Sequence, residues 1–106
     1  MITIEDFKKM ELRIAEIISV APHPQADRLL VVGIRVGESE RTIVAGIRAH
    51  YTESELMGKK VVVVANLEPA TIRGVLSEGM LLAASDEKGL TILVPHRDIA
   101  SGAKVS

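Results

Sequence analysis

No cysteine occurs among the 106 residues, so disulfide staples, thiolate metal ligands and cysteine nucleophiles are all excluded. Tryptophan is also missing, and Phe7 and Tyr51 are the only aromatic side chains. Small barrels that bind single strands commonly stack bases on aromatic platforms, at ~1–3 kcal/mol per base. This chain cannot build such a platform. Charge of one sign is lacking too: thirteen Lys plus Arg stand against fourteen Asp plus Glu, a net −1. Dedicated nucleic-acid binders often carry a basic excess. A balanced chain can still hold a local cationic footprint, because only cations close to phosphates release counterions. Apolar runs are a few residues long, far short of a membrane span. The opening Met1-Ile2-Thr3-Ile4-Glu5-Asp6 carries acids where a signal peptide would carry cations. These absences predict a soluble, cytoplasmic protein with no membrane partner.

What is present suits a folded globule: 47% hydrophobic and 25% charged residues, with length for one core and no second. We therefore expect one domain over 1–106. Thr3 reads as a helix N-cap with Asp6 as its capping-box partner, predicting a helix over Ile4–Met10. Leu12 to Val20 alternates apolar and polar, then shifts phase near Glu16-Ile17, which predicts a long strand bent by a bulge. A second strand spans Leu29–Val36, and Gly37-Glu38-Ser39-Glu40 turns into a third over Arg41–Ala45. Thr52-Glu53-Ser54-Glu55 is a capping box opening a short helix that Gly58 stops. Lys60–Leu67, apolar on both faces, reads as a buried strand; Met80–Ser85 and Leu90–Val94 follow, with a turn at Asp86-Glu87-Lys88-Gly89.

Between those last strands lies the least ordinary stretch, Asn66-Leu67-Glu68-Pro69-Ala70-Thr71-Ile72-Arg73-Gly74-Val75-Leu76-Ser77-Glu78-Gly79-Met80. Upstream stand His23-Pro24-Gln25-Ala26-Asp27-Arg28-Leu29 and Val44-Ala45-Gly46-Ile47. In this order the three blocks closely resemble the tRNA-binding domain found at the C-terminus of many methionyl-tRNA synthetases and as small free-standing tRNA-binding proteins. The likeness runs from about Phe7 to the C-terminus. It implies an all-β OB-fold, a five-stranded Greek-key barrel. Here the barrel would carry a short N-terminal helix, a short inter-strand helix and a C-terminal extension. Where the family usually has His-Pro-Asn-Ala-Asp-Lys-Leu, this chain has Gln25 for Asn and Arg28 for Lys.

An OB barrel binds nucleic acid on one face and through the loops after its first and fourth strands. In the first loop Arg28 can meet a phosphate with its planar fork; a plain surface pair with Asp27 is the alternative. In the second, Arg73 beside Gly74 offers a cation. The resemblance implies that the Ser77-Glu78-Gly79-Met80 block contributes to tRNA contact, with Ser77 and Met80 foremost. Turn duty for Ser77 and core filling for Met80 remain open. Asn66 either faces the ligand or orients the loop. The candidate tRNA-binding residues are thus Arg28, Asn66, Arg73, Ser77, Glu78, Gly79 and Met80.

His23, His50 and His96 are scattered, and no serine sits in a nucleophile elbow, so no metal, cofactor or catalytic residue is expected. The partners implied are tRNA and, in a larger assembly, the catalytic chain of methionyl-tRNA synthetase. Leu90, Ile92, Val94, Ile99 and Val105 exceed what a small barrel needs, which predicts a homodimer; the resemblance implies that the flanking terminal segments form its interface. A protein-interaction or chaperone-like OB module is the competing reading.

Overall fold

A computed structural model describes all residues from Met1 to Ser106. The elements are α1 (Ile4–Lys8), β1 (Leu12–Pro22), β2 (Leu30–Val36), β3 (Ser39–Ala45), α2 (Glu53–Leu56) and β4 (Lys60–Val64). They continue as β5 (Ala70–Ile72), β6 (Val75–Ser77), β7 (Met80–Leu81), β8 (Ala83–Asp86), β9 (Gly89–Ile92) and β10 (Lys104–Val105). The main sheet runs β3-β2-β1-β4-β7, with β10 added to β1. That neighbour order, with an open seam between β3 and β7, is the curled half-barrel of an OB-like fold.

Strand β1 makes the curl possible by serving two neighbours. Leu12–Glu16 pairs with β4, while Glu16–Pro22 pairs with β2, and the register slips between Ile17 and Ser19. The phase shift in the sequence thus marks a real bulge, one residue or so downstream of its expected place. Gly33 lies opposite Ser19, where an added Cβ would sit 2.2 Å from the Ser19 hydroxyl. Glycine leaves room there for the Ser19 side chain in its present rotamer as the strands close over the bulge.

Inward-facing Ile17, Leu30, Val32, Ile34, Ile43, Val61 and Val63 fill the interior with Leu56 of α2 as its plug. Each such side chain contributes ~1.5–3 kcal/mol by leaving water. β4 buries Val61, Val63 and Val64 but leaves Lys60 and Val62 half-buried, so its second face is less covered than expected, and it stops at Val64; Leu67 is exposed. Both helices carry the predicted capping boxes, on Thr3 with Asp6 and on Thr52 with Glu55. The first helix ends at Lys8, two residues earlier than expected, and buries no residue fully.

Three elements depart from the sequence reading. The stretch Met80–Ser85 is not one strand: β7 pairs with β4, then β8 leaves to form a separate hairpin with β9. The excursion from Glu68 to Gly79 is not plain loop but contains the β5–β6 hairpin. The C-terminal tail returns to pair Lys104 and Val105 with Arg13 and Leu12. The apolar surplus shrinks accordingly. Ile92 is core, Leu90 packs against it, and Val105 is half-buried on β1, leaving Leu93, Val94 and Ile99 exposed.

Candidate nucleic-acid interface

The hairpin is closed by a two-residue turn, since Ile72 pairs directly with Val75. Both turn residues have positive φ, 50° at Arg73 and 91° at Gly74. Such turns match the right-handed twist of the strands and favour Asn-Gly or Gly-Gly. Arginine in the first position is strained by ~1–2 kcal/mol. The turn carries this long cation exposed at the tip of the hairpin.

The tip leans on the β1–β2 loop. Arg73 Nη2 donates to the Gln25 carbonyl at 3.0 Å, and the Gln25 side-chain oxygen lies 4.0 Å from where a Cβ on Gly74 would sit. His23, only 4% exposed, bridges the same two segments: its Nε2 donates to the Ile72 carbonyl at 3.0 Å. Its Nδ1 accepts the Gln25 amide, also at 3.0 Å. Between loop and tip is a cleft of about 440 Å³ lined by Gln25, Ala26, Asp27, Arg28, Leu29 and Arg73. Arg28 is exposed and forms no ion pair with Asp27. Two guanidinium groups and one carboxylate, Asp27, therefore border one cleft, and neither guanidinium forms an ion pair.

The Ser77-Glu78-Gly79 block does something different. Ser77 is 4% exposed; its hydroxyl accepts the Val44 amide at 2.9 Å and donates to the Gly79 carbonyl at 3.2 Å. Glu78 N–H donates to the Thr42 carbonyl at 2.8 Å. Together they stitch β6 and the following turn to β3, closing the seam that the sheet leaves open. Gly79 has φ 147°, and a Cβ there would meet the Val64 carbonyl at 3.1 Å. The rim hydroxyl expected of Ser77 is a seam hydroxyl. Glu78 is half-buried beside it, whereas Met80, at 45% exposure, points outward.

Asn66 is also committed to structure. Its Oδ1 accepts the Glu11 amide at 2.8 Å and its Nδ2 donates to the Lys9 carbonyl at 2.7 Å. One side chain, though exposed, thereby ties the segment after α1 to the end of β4, so Asn66 orients the start of the excursion. The structure brings Arg28 and Arg73 together, places Met80 on the surface, and puts Asn66, Ser77, Glu78 and Gly79 in the framework. Sequence reasoning missed His23 and the Gln25 carbonyl as the links between the loops; a histidine held between two prolines was the available signal.

A larger concavity, about 680 Å³, lies among α2, the start of β4 and the C-terminal tail, lined in part by Tyr51, Lys59, Lys60, His96, Arg97 and Asp98. One of its three cations is in an ion pair, while Lys59 and Arg97 are in none. Lys60 is 2.8 Å from Asp98 and also donates to the Ile99 carbonyl. The lysine's hydrogen bond and charge hold the Asp98 carboxyl below its usual range, and the Thr52 backbone and hydroxyl bonds do the same for Glu55. Tyr51 is spent on structure, its hydroxyl accepting the Ile92 amide at 3.1 Å. No three His, Asp or Glu side chains converge to hold a metal ion, and no helix is long and apolar enough to cross a membrane.

Fold and rim define a class: an OB-like barrel presenting a cationic loop–hairpin cleft without an aromatic platform. Comparison with known proteins agrees, since the family described as "Putative tRNA binding domain" matches residues 12–104. The chain belongs to this tRNA-binding domain family. It is 47% identical over 98% of its length to the methionine–tRNA ligase of Pyrococcus horikoshii, of which it spans 14%. Among solved structures, a methionyl-tRNA-synthetase-related protein from Pyrococcus horikoshii superposes with TM-score 0.93 at 30% identity, covering 100% of this chain and 98% of that one. The CsaA chaperone protein of Picrophilus torridus superposes equally well, TM-score 0.93 at 29% identity with full coverage of both chains.

Proposed function

We propose that the chain binds folded tRNA as a non-catalytic module, reading backbone and shape through the cleft between the β1–β2 loop and the β5–β6 hairpin. The observation that carries this reading is the pair of guanidinium groups, Arg28 and Arg73, neither in an ion pair, which outnumber the single carboxylate of Asp27 on one cleft of a tRNA-binding-family barrel. Phosphates are the ligands such forks suit. Met80 adds an exposed, adaptable apolar contact at the foot of the hairpin. The module would act in the cytoplasm, alone or in association with methionyl-tRNA synthetase as its C-terminal domain or a separate subunit. We further propose a homodimer closed over apolar side chains left exposed in the terminal segments, among them Leu93, Val94 and Ile99. Light scattering at micromolar concentration should give twice the chain mass; a monomer mass would reject the dimer.

The binding test is electrophoretic retardation of bulk tRNA against unstructured RNA of equal length across a salt series. Folded tRNA should bind more tightly, with a shallow slope of about −2 to −4 in log K against log salt, reflecting few phosphate contacts. Equal affinity for the unstructured strand would refute shape reading. The likeness to a chaperone structure favours one second reading, a peptide-binding module, which would show no salt-dependent retardation of tRNA.

A further inference from the structure

We infer that His23 is a positioning residue whose neutral ring locks the β1–β2 loop onto the β5–β6 hairpin, so that acid weakens tRNA binding instead of strengthening it. The inference rests on the functional reading above. Its basis is a closed set of three hydrogen bonds: His23 Nε2 to the Ile72 carbonyl, the Gln25 amide to His23 Nδ1, and Arg73 Nη2 to the Gln25 carbonyl. A backbone amide can only donate and a backbone carbonyl can only accept. Nδ1 must therefore be bare and Nε2 must carry the proton, which is a single neutral tautomer.

Both ring nitrogens are in use, and the ring is 4% exposed between Pro22 and Pro24. A second proton on Nδ1 would set two N–H donors face to face across 3.0 Å. The loop would have to move, and it moves the carbonyl that anchors Arg73. The charged groups around this cleft are Asp27 and Arg28 on the histidine's own loop and Arg73 at the hairpin tip. No carboxylate accepts a hydrogen bond from either ring nitrogen. The other two histidines, His50 and His96, are exposed, and protonating them simply adds positive charge. For an ordinary phosphate binder acid should therefore tighten the complex. The lock predicts the opposite sign.

Tests use the full chain, bulk tRNA and a range from about pH 8 to about pH 5.5, which brackets the charge change of an unperturbed imidazole. A His50→Gln, His96→Gln background removes the two exposed titrations. In that background affinity should fall about tenfold on acidification, the worth of a buried hydrogen-bond pair. His23→Gln can still donate to Ile72 but does not titrate. It should bind within about threefold of its parent at neutral pH and lose the acid-induced fall. His23→Asn can accept from Gln25 yet does not reach Ile72. It should be about tenfold weaker at neutral pH, again without the fall. A purely structural histidine would give no such split between the two amides.

A second readout needs no RNA. Imidazole nitrogen shifts should report the Nε2–H tautomer at neutral pH, and the backbone amides of Gln25 and Arg73 should move along the His23 titration curve. Amides of Gln25 and Arg73 that ignore that titration would overturn the lock, as would wild-type affinity that rises with acid as much as His23→Gln does. If tRNA is not bound at any pH, the functional reading fails and the acid-weakening claim falls with it, while the amide shifts still decide whether the lock exists.

Discussion

The excursion between β4 and β7 has two ends that behave as different kinds of structure. Its tip, Arg73-Gly74, is exposed, carries two positive φ values, and touches the rest of the molecule through the Gln25 carbonyl. Its base, Ser77-Glu78-Gly79, is buried or half-buried and bonded to Thr42 and Val44 across the barrel seam. Only a few residues separate them. The lesson is that the Ser77-Glu78-Gly79 block acts here as a fastening for the hairpin whose tip carries the exposed Arg73. Removing the base should cost stability; removing the tip should cost binding.

The comparison would break first at Gly79. Alanine there must hold φ 147° with its Cβ 3.1 Å from the Val64 carbonyl and 3.5 Å from Ile43 Cγ2. Backbone strain and overpacking together should cost about 2–4 kcal/mol. Ser77→Ala follows, leaving the Val44 amide and the Gly79 carbonyl without their partner, at about 1–3 kcal/mol. Thermal unfolding should show falls in Tm in that order, while tRNA affinity measured well below Tm stays close to wild type. A Ser77→Ala protein of unchanged Tm but weakened binding would return the hydroxyl to the rim.

The tip should give the mirror image. Arg73→Gly removes the cation and relieves the left-handed strain, against the added chain entropy of glycine, so stability should hold within about 0.5 kcal/mol. Affinity should drop and the salt slope should flatten by about one unit per arginine, for Arg28→Ala as for Arg73→Gly. Retardation across a salt series on both variants checks this. A variant that lost affinity uniformly at every salt concentration would show that its arginine acts through packing.

The barrel could be read from the chain because its signals are local and periodic. Capping boxes at Thr3 and Thr52, alternation in β2 and the valines of β4 all state their structure in consecutive residues. What escaped depends on partners distant in sequence. Leu90 and Ile92 read as surplus because their burial depends on the core that β1, β2 and β4 build. The hairpin went unseen because Arg-Gly is a poor turn signal, tolerated here by the bond to Gln25. Asn66 and Ser77 had the right residue types for a polar site, yet their partners, Lys9, Glu11 and Val44, lie 33 to 57 residues away. A side chain's polarity is legible in sequence, but whether the framework has already satisfied it is not.

Met80 marks the border between the two ends and should show the smallest effects. It follows the seam directly and pairs with Val64 through its backbone, so its position is fixed by the base. Its side chain nonetheless points out at 45% exposure. A buried methionine would cost ~2–5 kcal/mol on truncation, whereas an exposed one should stay within ~0.5 kcal/mol. We therefore expect Met80→Ala to melt within a few degrees of wild type. Its thioether is flexible and polarizable, and losing an apolar contact with the ligand should weaken tRNA binding by about threefold, with the salt slope unchanged because no charge is removed. Melting and retardation on the one variant settle which side it belongs to. A large fall in Tm would assign Met80 to the fastening, and a lost affinity with an intact Tm would extend the presenting surface from the tip down to the strand.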